Sequence, residues 1–134
     1  MSQENVELLR SVFERTGRGD WDNEGGFDPS VEFLLVGGEG LGLSEQGRGI
    51  DALRGVLLEF MNEFEDYRVE GEWFFDLDDN RVFVLGRDRG VGVASGVPFE
   101  HENAQVFTLR DGLIVRWEVY WDRDVGRKAA GLEE

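Results

Sequence analysis

The chain contains no cysteine and only one histidine, and these two shortages narrow its possible chemistry. Without cysteine there is no disulfide, no thiolate nucleophile and no cysteine metal site. One histidine and scattered carboxylates do not form a metal-ligand cluster with usable spacing, and no phosphate-binding glycine motif is present. We therefore expect neither a metal nor another cofactor.

Long hydrophobic runs are also missing. A membrane-spanning helix needs about 18–20 consecutive apolar residues, and no segment of the chain approaches that length. The first ten residues, MSQENVELLR, lack the basic and then apolar pattern of a signal peptide. We expect a cytoplasmic protein that does not bind a membrane.

Positive charge is scarce. Aspartate and glutamate together number 29 against 14 lysines and arginines, which gives a formal net charge of −15. The acidic residues are spread along the chain and do not form a tail. A surface of this kind repels phosphate backbones, so we expect no nucleic-acid partner.

The residues that are present fit one folded domain covering 1–134. The hydrophobic fraction is 40%, and the aromatic residues comprise ten Phe, four Trp and two Tyr. A chain of this length can bury a sizeable core. This composition favours a globular protein over a disordered one.

The first half of the sequence has helical spacing interrupted by glycine. Apolar residues recur at helical intervals over 3–18 and again from Gly49 to about Glu65, which predicts two amphipathic helices. A short helical turn is expected at 20–24 and a strand at 31–36. The segment 37–49 contains six glycines and is interpreted as a loop, either a lid over a pocket or a plain surface loop.

In the second half the hydrophobic period changes to two. It predicts strands at 67–77, 81–89, 99–109 and 113–122, separated by the turn signals Asp-Asp-Asn, Ser-Gly-Val-Pro and Arg-Asp-Gly. A short helix at 124–131 closes the chain. Two helices followed by a meander of long strands indicate an α+β fold with helices on one face of a curved antiparallel sheet.

One face of the strand at 99–109 combines aromatic and polar side chains. Because successive strand residues alternate between faces, His101, Asn103 and Gln105 share a face with Phe99 and Phe107. A few polar groups in an apolar wall are typical of a ligand pocket. His101 is the only histidine of the chain and is the candidate catalytic residue. A ligand contact and a purely structural role are its alternatives.

Trp117 and Trp121 share a face of the last strand by the same alternation. They either fill the core or wall a cavity, and we expect that cavity to be the one next to His101. Trp73 is a further candidate, as a core residue or a ligand contact. Arg87, if it points inward, would pair with an acidic ligand or with a carboxylate of the protein.

Four segments in this order resemble the nuclear transport factor 2-like superfamily, and in particular its SnoaL-like or ketosteroid-isomerase-like branch. They are ENVELLRSVFERTGRGDWD, DPSVEF, GRGIDALRGVLLEF and TLRDGLIVRWEVYWDRDVGRKAAGL. The resemblance implies a cone-shaped fold in which a curved antiparallel sheet packs against N-terminal helices around a pocket. It also implies a homodimer formed through the sheet.

The same resemblance is informative about catalytic residues. Ketosteroid isomerases carry a carboxylate base just after the first-strand motif, and the matching position here is Phe33. A phenyl ring cannot abstract a proton, so Phe33 is expected to line the pocket only. The family's second acid falls near Gln105, whose amide can donate to an oxyanion. The limonene-epoxide-hydrolase pattern fits poorly, because Arg87 and Asp88 lie on opposite faces of their strand.

Two functional hypotheses follow. The first is binding of a small hydrophobic, ring-shaped molecule with acid–base chemistry of the isomerase, cyclase or hydrolase type. In this hypothesis His101 is the acid or base, and Asn103, Gln105, Trp117, Trp121, Phe33, Trp73 and Arg87 contact the ligand. The alternative is a non-catalytic ligand-binding domain, or a dimeric interaction domain with a vestigial pocket.

Overall fold

A computed structural model describes residues 2–17, 26–36, 44–78 and 80–131. Within these ranges three helices and six strands form an α+β fold, which confirms the predicted class. Their bounds are α1 (Ser2–Gly17), β1 (Phe27–Val36), β2 (Ser44–Arg48), α2 (Ile50–Met61), β3 (Phe64–Asp76), β4 (Arg81–Gly92), β5 (Pro98–Arg110), β6 (Leu113–Tyr120) and α3 (Arg123–Ala129). The helical turn expected at 20–24 and residues 37–43 of the glycine-rich segment lie outside the described residues.

The strands form one open sheet in the order β2-β1-β6-β5-β4-β3. Its neighbouring strands are antiparallel except for β1 and β6, which run parallel. The predicted antiparallel pairing therefore holds for four of the five described strand pairs, and β1 with β6 is the exception. Parallel neighbours need a long crossover connection, and here the whole segment from β2 to β5 separates them.

The glycine-rich segment contains a strand where a loop was expected. Residues Ser44–Arg48 form β2 and pair antiparallel with β1. A Cβ atom at Gly47 would lie 2.7 Å from the tip of the Phe33 ring. The glycine at this position therefore makes room for an aromatic side chain, and the strand forms in spite of its low intrinsic propensity.

The main core lies between the inner face of the sheet and helices α1 and α2. Leu9 of α1 and Ile114 of β6 are fully buried, and Leu53 of α2 is nearly so. The ring of Phe13 meets those of Phe74 and Phe107 edge-on, at 5.7 and 5.8 Å between centroids. The helical spacing of the sequence therefore marked the correct faces of both helices.

A second, smaller core lies on the outer face of the sheet, under α3. It includes Phe83, Leu85, Ala104, Val106, Tyr120 and Ala130. Asp122 begins α3 by accepting hydrogen bonds from the backbone N–H groups of Asp124 and Val125, at 2.8 and 3.2 Å, as is usual for an N-cap residue. The middle of β4 is consequently buried on both faces.

Candidate functional site

A cavity of about 50 Å³ lies between the inner face of the sheet and α2. Most of its wall is apolar, and three polar side chains from β4 and β5 interrupt it. The described lining residues are Leu35, Val56, Leu57, Tyr67, Val69, Asp88, Asn103, Gln105, Trp117, Val119 and Trp121. A few polar groups set in an apolar surface are typical of ligand pockets.

Asp88 is the only carboxylate among the described residues of this wall and is 3% exposed. One of its oxygens accepts a hydrogen bond from the Tyr67 hydroxyl, and the other accepts one from the Asn103 amide. Burial raises the pKa of Asp88 to about 6, while the hydrogen bonds from Tyr67 and Asn103 and the neighbouring His101 act in the opposite direction. Asp88 is thus mostly ionised at neutral pH, with a pKa suited to proton transfer.

Two further hydrogen bonds extend from Asn103 along the cavity wall. The Gln105 Nε2 donates to Asn103 Oδ1 at 3.0 Å, and the Trp117 Nε1 donates to Gln105 Oε1 at 2.9 Å. Asn103 and Gln105 are each 1% exposed. The structure therefore brings together three residues that alternation had placed on one surface, and it links them to Asp88.

The Arg123 side chain holds the backbone around Asn103 by hydrogen bonds from the outer side of the sheet. Arg123 donates to the carbonyl oxygens of Asn103 and Gly86, at 3.1 and 2.8 Å. The same guanidinium donates to Glu72 at 3.1 Å. The first residue of α3 thus ties β4 and β5 together where their side chains enter the cavity.

Tyr67 and Asp88 are functional candidates that the sequence analysis did not select. Burial and the neighbouring Asp88 carboxylate both raise the pKa of the Tyr67 phenol, which therefore stays protonated as a donor. A usable signal was the pairing of β4 with β5. Asp88 is the register partner of His101, so the expected inward position of His101 implied an inward Asp88.

His101 lies beside the cavity and is absent from the described lining. Its Nε2 is 2.7 Å from the carbonyl oxygen of Trp121. Since a carbonyl oxygen only accepts, this nitrogen carries a hydrogen. The His101 ring packs 4.8 Å from the ring of Trp121 and borders an open polar groove with Arg87 and Arg123.

Phe33 is a core residue and is not among the described residues that line the cavity. It is 3% exposed and packs in the main core, with its ring over Gly47. The expectation that it contacts a ligand is therefore corrected. Its register partner Trp117, on the neighbouring strand, does reach the wall.

Trp73 and Arg87 lie on the outer face, which corrects both as cavity residues. Trp73 is 61% exposed, because an irregularity in the pairing between Gly71 and Trp73 reverses the alternation of β3. Arg87 donates to Glu72 at 2.9 Å and to Glu102 at 3.1 Å. The hydrogen bond to Glu72 is the main reason why the pKa of Arg87 is raised.

Two other properties concern the described residues only. They contain no group of three or more histidines and carboxylates that could hold a metal ion. None of the helices described has the length and apolar character needed to cross a membrane.

The three helices and the six-stranded open sheet of the described residues form a fold similar to that of NTF2-like proteins. The family model of the SnoaL-like domain matches residues 9–117, so the chain belongs to the SnoaL-like domain family. This confirms the resemblance drawn from the sequence.

Solved structures agree on the fold. One is an NTF2-like protein of unknown function from Burkholderia pseudomallei, at 20% identity and a TM-score of 0.74, covering 93% of this chain and 95% of that one. Another is a putative polyketide cyclase from Xanthomonas campestris pv. campestris, at 22% identity and a TM-score of 0.71, covering 96% of this chain and 98% of that one. A third is SalBIII, an epoxide hydrolase/cyclase-like enzyme with a role in pyran ring formation in the polyether salinomycin, at 19% identity and a TM-score of 0.73, covering 90% of this chain and 92% of that one. No curated protein sequence matches the chain.

Proposed function

We propose that this protein is a small-molecule enzyme of the SnoaL-like kind that uses Asp88 for proton transfer in the inner cavity. The observation that carries the proposal is a buried carboxylate in an aromatic wall, with its pKa raised to about 6 by burial. A base with a pKa near the working pH combines a large ionised fraction with a useful proton affinity. Asp88 is preferred to His101 because it belongs to the cavity wall.

The proposed reaction is a proton transfer within one bound molecule. The ionised Asp88 removes a proton from a hydroxyl or from a carbon next to a carbonyl, and the same proton returns to the product. Such a sequence balances without a further reactant, and it covers isomerisation and ring closure. The cyclase and epoxide hydrolase/cyclase-like names of two structural neighbours are compatible with it, although their low identities support the fold alone.

The proposed substrate is small, hydrophobic, ring-shaped and uncharged. Trp117 and Trp121 offer flat surfaces to a ring, and Val119 lies between them in sequence on the same wall. Among the described lining residues Asp88 alone carries a full charge, so an anionic substrate would be repelled. The cavity of about 50 Å³ is smaller than the roughly 300 Å³ of typical ligand sites. We therefore propose that Val56 and Leu57 of α2 move when a substrate enters.

Hydrogen exchange into a small cyclic ketone tests the proposal, because it reports proton abstraction even when the natural substrate is unidentified. Cyclopentenone in D₂O is followed by NMR with the wild-type protein and with Asp88→Asn. We expect the wild type to accelerate deuterium uptake and the variant to lose about 100-fold or more of that acceleration. Equal rates in the two proteins, or no acceleration by the wild type, would refute a general base at this position.

Binding without catalysis is the second candidate function, and one observation favours it. Both oxygens of Asp88 already accept hydrogen bonds, and no buried side-chain nitrogen or oxygen among the described residues lacks a partner. A non-catalytic site needs no spare capacity on the carboxylate. This candidate predicts that cyclopentenone stabilises the protein against heat while its hydrogen-exchange rate stays at the solvent value.

We further propose a homodimer formed through the outer face of the sheet. Trp73 and Phe75 on this face are 61% and 44% exposed, and neighbouring exposed aromatic residues favour an interface. Arg87 and Arg89 on the same face alternate with glutamates in ion pairs. A surface that carries both signs of charge can pair with its own copy across a twofold axis.

A further inference from the structure

A single chain of hydrogen bonds runs along the cavity wall and ends on Asp88. It begins at the indole N–H of Trp117, which donates to Gln105 at 2.9 Å, and Gln105 donates to Asn103 at 3.0 Å. Asn103 then donates to Asp88. Every donor in this chain points towards the carboxylate.

The chemistry of the two ends imposes this direction. An indole N–H only donates, so the oxygen of Gln105 must face Trp117 and its NH₂ group must face Asn103. Asn103 therefore presents its oxygen to Gln105 and its own NH₂ group to Asp88, where an ionised carboxylate only accepts. If Gln105 were reversed, two donors would face each other at Trp117 and two oxygens would face each other at Asn103.

The surroundings leave little room for a different arrangement. Asn103 and Gln105 are 1% exposed, so water has little access to compensate a reversed amide. On the sheet side, a Cβ atom at Gly86 would lie 2.7 Å from Asn103 Oδ1 and 3.2 Å from Gln105 Nε2. The two amides thus fill the space above this glycine.

We infer that Trp117 and Gln105 are positioning residues that stabilise the ionised form of Asp88 through Asn103. The inference rests on the proposed function, because it explains how the base is kept charged inside an apolar wall. Each hydrogen bond in such a chain polarises the next, so the last one is stronger than an isolated amide–carboxylate bond. The competing explanation is that the chain only satisfies buried amides. In that case Trp117 would affect folding stability without affecting the proton affinity of Asp88.

The first test needs no substitution. The indole ¹⁵N–¹H resonance of Trp117 and the ¹³C resonance of the Asp88 carboxyl are followed in the full chain from pH 4.5 to pH 8. We expect both to titrate with one midpoint, near 6, while the exposed indole of Trp73 does not follow it. A Trp117 resonance that stays constant while Asp88 titrates would overturn the inference.

The second test breaks the chain at two points. Trp117→Phe keeps an aromatic ring beside Phe107 but removes the donor, and Gln105→Met keeps the approximate length but removes both polar ends. We expect each to raise the pKa of Asp88 by about 0.5, and the double variant to add little because the chain is already broken. Trp121→Phe is the control, since it removes an indole N–H from the same wall outside this chain. An unchanged Asp88 pKa in either folded single variant would overturn the inference.

These outcomes are separate from those of the proposed function. If Asp88→Asn abolishes hydrogen exchange but Trp117→Phe leaves the Asp88 pKa unchanged, proton transfer by Asp88 stands and the positioning role fails. If the pKa responds but Asp88→Asn exchanges like the wild type, the chain exists and Asp88 is not the base.

Discussion

Gly86 lies directly beneath the side chain of Asn103, and a Cβ atom at Gly86 would stand 2.7 Å from Asn103 Oδ1 and 2.9 Å from the carbonyl oxygen of Glu70. The first atom belongs to a side chain and the second to the backbone of β3. A methyl group therefore cannot be accommodated by the movement of a single flexible side chain. The space that this glycine leaves is occupied by the amide groups of Asn103 and Gln105 beside Asp88.

Gly86→Ala is therefore expected to destabilise the protein by about 1–3 kcal/mol, because overpacking forces the backbone or the amide pair to shift. Urea unfolding at pH 7 measures the change. Gly55→Ala on α2 is the matched control, since apart from its chain neighbours and the backbone of its own helix no described atom lies within 4 Å of the added Cβ. It should leave stability unchanged or raise it by about 0.5–1 kcal/mol. A destabilisation shared equally by both variants would contradict this account of Gly86.

The titration of Asp88 should contribute to the pH dependence of the free energy of unfolding. Burial raises its pKa from the model-compound value of 3.8 to about 6, so between pH 4 and pH 6 the folded protein binds more protons than the unfolded chain. Its contribution to the free energy of unfolding therefore falls as the pH rises through this window. Above pH 6 the cost reaches about 2–3 kcal/mol.

Asp88→Asn removes this titration. We expect the difference in unfolding free energy between the variant and the wild type to move in favour of the variant as the pH rises from 4 to 7. Urea denaturation at both pH values gives the difference and cancels the other titrating groups. A difference that is independent of pH would show that the Asp88 pKa is not raised.

The cavity should bind uncharged ligands more tightly than anionic ones. Benzyl alcohol and benzoate have similar rings, but benzoate would bring a second anion close to Asp88, where mutual repulsion opposes binding. We expect benzyl alcohol to bind at least 10-fold more tightly than benzoate at pH 7.5, as measured by quenching of tryptophan fluorescence. Asp88→Asn should narrow that ratio. Tighter binding of benzoate to the wild type would contradict the proposed preference for uncharged molecules.

The proposed homodimer depends on the outer face of β3. Trp73→Glu places a charge at the most exposed apolar residue of this face, and we expect it to weaken association at least 10-fold in sedimentation equilibrium. Val125→Glu is the control, because Val125 is also an exposed apolar residue, at 45%, but belongs to α3. If the wild type sediments as a monomer at all concentrations, the proposal fails. It also fails if the two variants behave alike.

Alternation along the sequence grouped Asn103 and Gln105 on one face of β5 and Trp117 with Trp121, and all four are among the described residues that line the cavity, whereas His101 is not. The turn between β5 and β6 is tight, and both Asp111 and Gly112 have positive φ values of 54° and 79°. The register nevertheless shifts by one residue between Thr108 and Leu109, which pairs Trp117 with Phe107. The alternation within each strand and the helical faces that contain Leu9 and Leu53 could be predicted, but the alignment of the two strands depends on this irregularity.

Alternation failed on β4 for a physical reason. Residues 82–85 are apolar and buried on both faces, because α3 covers the outer side of the sheet. A strand that is buried on both faces has no polar side to reveal its orientation. The pattern within β4 therefore could not assign Arg87 to the outer face and Asp88 to the cavity, and only the pairing of Asp88 with His101 on β5 indicates it. On β3 the shift in pairing between Gly71 and Trp73 turns Trp73 outward, and the local sequence pattern gives no sign of this shift.

The sequence by itself determined the class of fold, the family and the polar stripe on β5, because these follow from periodicity, turn chemistry and the order of segments along the chain. Only the tertiary structure decided which carboxylate faces the cavity. The pKa of Asp88 depends on its burial, and its hydrogen-bond partners Tyr67 and Asn103 come from two different strands. Those contacts arise from the pairing register of three strands and from the helix that covers the opposite face, and neither is encoded within a single segment.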